Sequence, residues 1–256
     1  MASSVNVSIT DGAAEITISN PGARNAIDAT MARDLVDACD RIDTDASVGV
    51  AIVRGDDGYF CSGGSRSELA EISSAPVSDK GVALIQTIYD AFLRVGRLRV
   101  PTIAAIRGGA VGAGVNLAMA TDVRIISRTA RFTSGFVNIG IHPGGGHYTL
   151  LGRSAGPEAA TALGVLGDSI DGARAVELGL AYIAVADESV EPEAWRLTET
   201  SRRDPALARA AIASLRAEVH APGVSWDAAV AMERGIQAWS FARKGAARWA
   251  ERKRAD

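Results

Sequence analysis

Three histidines occur in the 256 residues, and two of them, His142 and His147, flank Pro143-Gly144-Gly145-Gly146 in the stretch "NIGIHPGGGHYTLLGR" (138–153). Imidazole is the side chain whose unperturbed pKa lies nearest neutrality, so a histidine beside a pocket can act as general acid and base. On that reading His147, at the start of a helix, is the first candidate and His142 the second. Tyr148 is a weaker one. The competing reading is that His147 merely caps the helix and His142 packs beneath the turn. No Cys, Asp or Glu stands close to the two imidazoles in sequence, so a metal site is not expected.

Glycine-rich loops are the second chemical signal. They occur at Gly63-Gly64, from Gly108 to Gly114, and at Gly144 to Gly146. None is a P-loop, because the only lysines are Lys80, Lys244 and Lys253. The order Gly109-x-x-Gly112-x-Gly114 is not that of a dinucleotide fingerprint. The next strand also ends at Ser127-Arg128, with no acidic residue for a ribose. What these loops do offer is free main-chain N–H groups, and two aimed at one point can stabilise an oxyanion. Gly64 and Ala113 occupy the two positions where a strand-to-helix turn would present them. Each glycine taken singly has a plainer explanation, a tight turn or close packing.

These residues must be held by a globular scaffold. Apolar residues make up 47% and charged residues 22%, and the formal charge of −3 disfavours a nucleic-acid partner. No apolar run reaches the roughly 20 residues of a membrane span, and the N-terminus lacks the pattern of a signal peptide. Two cysteines, Cys39 and Cys61, give no disulfide framework, and the cytoplasm is the expected compartment. Cys61 has no base near it in sequence and reads as a buried thiol rather than a nucleophile.

Val5, Val7 and Ile9 alternate towards Asp11-Gly12, and a second run follows through Ile16 and Ile18, which predicts a hairpin. Asp28 is placed to cap a helix whose face is Met31, Leu35, Cys39 and Ile42. Residues 48–55, "TIAAI" after Pro101, and 123–127 lack polar alternation and predict strands covered on both faces. Residues 80–98 carry Val82, Tyr89, Phe92 and Val95 as one helical stripe, with a polar stretch before them around Pro76. Alternating strands and helices indicate an α/β core over 1–187. Residues 188–256 contain no strand-like run and read as a helical appendage broken near Pro205 and Pro222. Within it His220 reads as surface, and Trp239 and Trp249 as packing residues. Asp122 reads as a structural turn residue.

The segments "RNAIDATM", "VAIVRGDDGYFCSGGSRSEL", "VPTIAAIRGGAVGAGVNLAMATDVRIISRTARF", "NIGIHPGGGHYTLLGR" and "LGDSIDGARAVELGLA" occur in an order and wording that resemble the enoyl-CoA hydratase/isomerase (crotonase) superfamily over roughly residues 5 to 185. The resemblance implies a spiral of ββα units followed by a helical trimerisation region, and hence a homotrimer or a dimer of trimers. It implies an acyl-CoA thioester substrate, with coenzyme A as part of the substrate and no other cofactor. The thioester carbonyl would be held by the N–H groups of Gly64 and Ala113. Arg24, Ala26, Ser62 and Arg66 match positions around the coenzyme A moiety, with Cys61 beside them.

The departures from that pattern concern proton transfer. The family's two hydratase glutamates fall on Asn116 and Phe136 here, its dehalogenase aspartate on Gly144, and the aspartate after the first oxyanion glycine on Ser65. Asn116 can hydrogen-bond water but cannot take its proton, and Phe136 only makes the pocket more apolar. This leaves several readings open. One is an acyl-CoA enzyme working by non-standard hydration, hydrolysis, decarboxylation or C–C cleavage, with His147 as its base and Asn116 orienting water or substrate. A second is a non-catalytic acyl-CoA binder. A third is an unrelated α/β protein with chance glycine loops.

Overall fold

A computed structural model describes residues 2–219 and 225–246. The hairpin forms as expected. Strands β1 (Ser4–Thr10) and β2 (Ala13–Ser19) pair antiparallel with Val5 opposite Ile18 and Val7 opposite Ile16. Asp11 and Gly12 turn the chain with positive φ angles of 48° and 81°, the geometry of a tight hairpin turn. Helix α1 (Ala29–Thr44) begins where the Asp28 carboxylate accepts the Met31 N–H, and it buries Met31, Leu35, Cys39 and Ile42.

Strands β3 (Val50–Gly55), β4 (Thr102–Ile106) and β6 (Val123–Ser127) then extend the sheet in parallel. Their unbroken apolar sequences follow from burial on both faces. Ala51 and Val53 face the main core with α1, whereas Val50 and Ile52 face a smaller core with Val190 and Ala194 of a later helix. With β9 (Ile183–Val185) at the far edge, the six-stranded order is β1-β2-β3-β4-β6-β9. A second sheet holds β5 (Gly109–Val111), β7 (Arg131–Thr133) and β8 (Ser169–Ile170) in the order β5-β7-β8.

Between β3 and β4 lie α2 (Arg66–Ser74) and α3 (Asp79–Gly96). Helix α2 replaces the polar stretch expected from the sequence. It buries fully only Ile72 and Ser73, which is too thin a stripe to stand out. In α3, Tyr89, Phe92 and Val95 are buried as the spacing predicts, but Val82, in the first turn, is 36% exposed. Helices α4 (Ala113–Ala120), α5 (His147–Gly164, bent at Gly156) and α6 (Gly172–Glu177) complete the core.

The C-terminal region is helical over α7 (Val190–Arg203), α8 (Pro205–Val219) and α9 (Trp226–Lys244). His220, Pro222 and Trp249 lie outside the described residues. None of the described helices is long and apolar enough to cross a membrane. Arginines stitch α8 to the core. Arg209 donates to the carbonyls of Ile42, Asp45 and Val48, and Arg216 pairs with Asp122, whose carboxylate also accepts the Thr102 N–H and hydroxyl. Asp122 is thus the structural residue expected, with a role in joining strand to appendage.

Helix α9 lies against the triple-glycine loop. A Cβ on Gly144 would stand 2.2 Å from both the Gln237 amide nitrogen and the Tyr89 hydroxyl, and one on Gly146 would stand 2.1 Å from the Trp226 ring. Gly145 has φ +77°, and a Cβ there would fall 2.4 Å from the Phe92 ring. The Trp226 indole N–H donates to the Gly145 carbonyl at 2.8 Å and its ring stacks on Phe92. The glycines therefore let a helix and two aromatic rings come down on bare backbone. Gly145→Ala is expected to destabilise the fold by about 3 kcal/mol, combining left-handed backbone strain and overpacking, as read from the urea unfolding midpoint.

Candidate active site

Two loops leave the sheet side by side and build one wall of a cavity. After β3 the chain passes through Cys61, whose N–H donates to the Gly109 carbonyl (3.1 Å) and whose carbonyl accepts the Val111 N–H (3.0 Å). This short parallel pairing sets Gly63-Gly64 beside Gly112-Ala113. A Cβ on Gly63 would lie 2.9 Å from the Val111 carbonyl oxygen and 3.7 Å from the Ala113 nitrogen, and Gly63 and Gly112 take φ angles of 102° and 55°. Helix α4 starts at Ala113. Neither the Gly64 nor the Ala113 N–H donates to any group among the described residues. Both residues line a cavity of about 650 Å³. Two such donors can hold one oxygen that carries developing negative charge.

The other walls are mostly apolar. Leu69 and Ile72 of α2, Ile85, Ile88 and Phe92 of α3, Phe136 and Ile141 all contribute. Helix α9 closes one side with Gln237, Phe241 and Lys244. The Tyr89 hydroxyl donates to the Gln237 side-chain oxygen, and the Gln237 amide donates to the His142 carbonyl at 3.2 Å. Burial holds the Tyr89 phenol well above its ordinary pKa, so it stays protonated. Among the described residues that line the cavity there is no aspartate, glutamate or histidine.

Asn116 and Phe136, on which the resemblance places the family's two glutamates, both line this cavity. His147, expected either as the acid/base group or as a cap of the helix, is not among the described residues that line the cavity. It is fully buried, with Nδ1 2.7 Å from the Asn116 side-chain oxygen and Nε2 2.7 Å from the Ser134 hydroxyl. Phe136 packs its ring edgewise on the imidazole, with centroids 5.0 Å apart. Desolvation, with a smaller contribution from His142, pushes the His147 pKa down to about 3, so the ring is neutral. Neither nitrogen is free to meet a substrate.

His142 is also displaced from the cavity. It lines a smaller hollow of about 420 Å³ together with Trp239 and Ser240; its main-chain N–H donates to the Ser240 hydroxyl, and Nδ1 lies 2.5 Å from the Pro143 carbonyl. Tyr148 likewise lies away from the cavity, its hydroxyl directed at the Gly164 carbonyl at 3.4 Å. Trp239, expected as a packing residue, is 57% exposed beside this hollow.

Around the mouth, Ser62 and Arg66 are among the lining residues. Ser62 donates its hydroxyl to the Ala23 carbonyl and its N–H to the Arg24 carbonyl. Arg24 is exposed with its guanidinium over the Tyr59 ring, and Ala26 is buried in the turn that follows. Cys61 is buried beneath, its thiol pushed up to about 12 by desolvation, which suits a packing residue.

Two features of the site were not anticipated from the sequence. The Glu233 carboxylate is buried and accepts the N–H groups of Gly146 (2.7 Å), His147 (3.1 Å) and Tyr148 (3.3 Å), so α9 caps the start of α5. Burial raises its pKa, and the three donors act against that rise. The signal available was the polar series Glu233, Gln237, Ser240 and Lys244 at helical spacing, a stripe that reads equally as a solvated face. Ser134, the other surprise, carried no distinguishing spacing.

The neutral His147 has a consequence for stability. Its folded pKa lies below its unfolded value of 6.5, so between about pH 6.5 and 3 the unfolded chain binds a proton that the folded chain refuses. Stability must fall as pH drops through that window, by up to about 1.4 kcal/mol per pH unit from this group. His147→Gln, which leaves Glu233 in place, is expected to flatten that part of the profile when urea midpoints at pH 7.5 and pH 5 are compared.

The sequence model described as enoyl-CoA hydratase/isomerase matches residues 8–256. A protein of Mycobacterium tuberculosis named "Probable enoyl-CoA hydratase" is 40% identical over 186 residues, which cover 73% of this chain and 71% of that one. The 2,3-dehydroadipyl-CoA hydratase of Escherichia coli is 30% identical over 222 residues, covering 86% and 84%. Among solved structures, an enoyl-CoA hydratase from Mycobacterium avium subsp. paratuberculosis superposes with a TM-score of 0.81 at 25% identity, covering 95% of this chain and 97% of that one. An enoyl-CoA hydratase/isomerase from Xanthobacter autotrophicus gives 0.83 at 26% identity, covering 94% and 89%. The α/β architecture with C-terminal helices is thus the crotonase fold, and the chain belongs to the enoyl-CoA hydratase/isomerase family.

Proposed function

We propose that this chain works on an acyl-CoA thioester, holding the thioester carbonyl oxygen between the N–H groups of Gly64 and Ala113. The observation that carries the reading is this pair of main-chain donors, unpartnered among the described residues, on the wall of one largely apolar cavity. When bonding at the α-carbon changes, negative charge moves onto the carbonyl oxygen, and two fixed donors stabilise the enolate. Ser62 and Arg66 at the mouth, with Arg24 and Ala26 on the adjoining turn, would border coenzyme A, which enters as part of the substrate with no other cofactor required. The relative named 2,3-dehydroadipyl-CoA hydratase, whose name specifies a CoA thioester, supports this substrate class.

Standard hydration finds little support in the walls. With Asn116 and Phe136 at the glutamate positions, no carboxylate lines the cavity among the described residues to activate water. The chemistry we assign is therefore a lyase reaction at the thioester α-carbon that uses donors rather than a base. That no carboxylate or imidazole is found among the described lining residues also favours a second reading, a binder that keeps the pocket without turnover. We further assign residues 188–256 to assembly as a homotrimer or dimer of trimers, and the cytoplasm as the site of action.

Ala113→Pro tests the donor role. Proline is tolerated at a first helical position yet carries no N–H. Turnover is expected to fall 10²- to 10³-fold, equivalent to about 3 kcal/mol, with acyl-CoA affinity by calorimetry within a few-fold of wild type and an unchanged melting profile. Thioesters that bind while no acyl-CoA is ever transformed would favour the binder.

A further inference from the structure

The hydrogen-bond chain behind the cavity has only one consistent polarity. One arm of the Asn116 carboxamide lies 2.8 Å from the Gly144 carbonyl oxygen, so that arm is Nδ2 and donates. The other arm is then Oδ1, which needs a donor, and His147 Nδ1 at 2.7 Å must carry the proton. The neutral ring leaves Nε2 as an acceptor, and the Ser134 hydroxyl at 2.7 Å supplies its hydrogen. Ser134, His147 and Asn116 are 2%, 0% and 1% exposed. A single main-chain carbonyl, that of Gly144, thereby fixes the orientation of three buried side chains. Asn116 turns its oxygen inward and keeps one N–H without a partner among the described residues, at a position on the cavity wall.

We propose that Ser134–His147–Asn116 is a positioning chain that occupies the Asn116 oxygen and leaves only an N–H of that side chain to the cavity, and that the resulting donor-lined cavity takes acyl-CoA thioesters bearing a carboxylate on the α-carbon and releases carbon dioxide. This rests on the acyl-CoA reading above. An enolate can arise by loss of an α-proton or by addition of water, and both need a proton acceptor. It can also arise when a bond to the α-carbon breaks and its other half leaves as a neutral molecule, which needs none. Here the bond between the α-carbon and the carboxylate carbon breaks. Its electron pair moves into the thioester, onto the oxygen held by Gly64 and Ala113, and CO₂ departs. The α-carbon then takes one proton from solvent. Charge and atoms balance with no oxidant, reductant or protein base.

The walls suit that step. Asn116 and Phe136 both contact the His147 ring and both line the cavity. One N–H can fix the rotation of the substrate carboxylate, while the phenyl ring gives it poor solvation and favours the neutral product. A hydroxyl donating to an imidazole is also the geometry of an activated serine nucleophile. Ser134, however, is buried and is not among the residues that line the cavity.

The test uses the full chain in heavy water with malonyl-CoA and methylmalonyl-CoA, alongside acetyl-CoA, propionyl-CoA and crotonyl-CoA, followed by mass spectrometry. The expected result is loss of CO₂ from the carboxylated thioesters with one deuteron gained at the α-carbon. Acetyl- and propionyl-CoA should show no exchange and crotonyl-CoA no hydration. His147→Leu should lower kcat for decarboxylation at least 10-fold with KM within a few-fold of wild type. His147→Gln, which can still donate to Asn116, should recover most of it. Asn116→Asp should lose decarboxylation at least 100-fold and gain α-proton exchange, a swap that loss of packing would not produce. Melting curves on each variant separate these effects from misfolding.

Binding of all thioesters without release of CO₂ would overturn this inference and leave the acyl-CoA reading standing. Failure of any CoA thioester to bind would overturn both. Hydration of crotonyl-CoA by the wild type, an acyl adduct on Ser134, or a His147→Leu kcat within twofold of wild type would each overturn the proposal.

Discussion

The wall of the cavity turns on two main-chain N–H groups, of Gly64 and Ala113, that have no partner among the described residues. Buried amides almost always find one, and leaving one unmatched costs on the order of 1–3 kcal/mol. Here two stand on a single wall because the loops after β3 and β4 pair with each other for a few residues, through Cys61, Gly109 and Val111, and then run out of partners together. Gly63 and Gly112 supply the backbone angles at that point. The sheet matters to the chemistry mainly because it places the ends of β3 and β4 in neighbouring register.

Around this wall the structure solves a second problem, how to cover bare glycine backbone. The loop from Gly144 to Gly146 has no side chains of its own, so Trp226, Phe92, Tyr89 and Gln237 close over it. The helix that supplies Trp226 and Gln237 also supplies Glu233 to the first turn of α5 and Phe241 and Lys244 to the cavity. A helix that reads in sequence as part of an appendage is thereby built into the site.

Much of this was legible from residue pattern. The hairpin through Asp11-Gly12, the cap at Asp28 and the doubly covered strands each rest on local chemistry that tertiary contacts reinforce. Gly64 and Ala113 each fall at a strand-to-helix turn in the sequence, and both line one cavity. Helix α2 was not legible, since it buries too narrow a stripe. For His147 the sequence left two roles open, a proton shuttle and a helix cap. Which way an imbedded ring faces is decided by Asn116 and Ser134, residues 31 and 13 positions away. Glu233 shows the same limit more sharply, reaching across 87 residues to its main-chain partner at Gly146.

The Glu233 cap has a bearing on how the molecule can recognise phosphate. The start of a long helix is ordinarily an attractive seat for an anion, because its first N–H groups are unclaimed and the peptide dipoles add there. At α5 that seat is already taken by a carboxylate from the protein's own chain. The triple-glycine loop, despite its outward likeness to a phosphate cradle, is closed from within. On the acyl-CoA reading, a phosphorylated carrier would meet exposed cations that line the cavity, such as Arg66, rather than this helix start. The strength of that contact would therefore be set by ionic strength far more than by the geometry of the backbone.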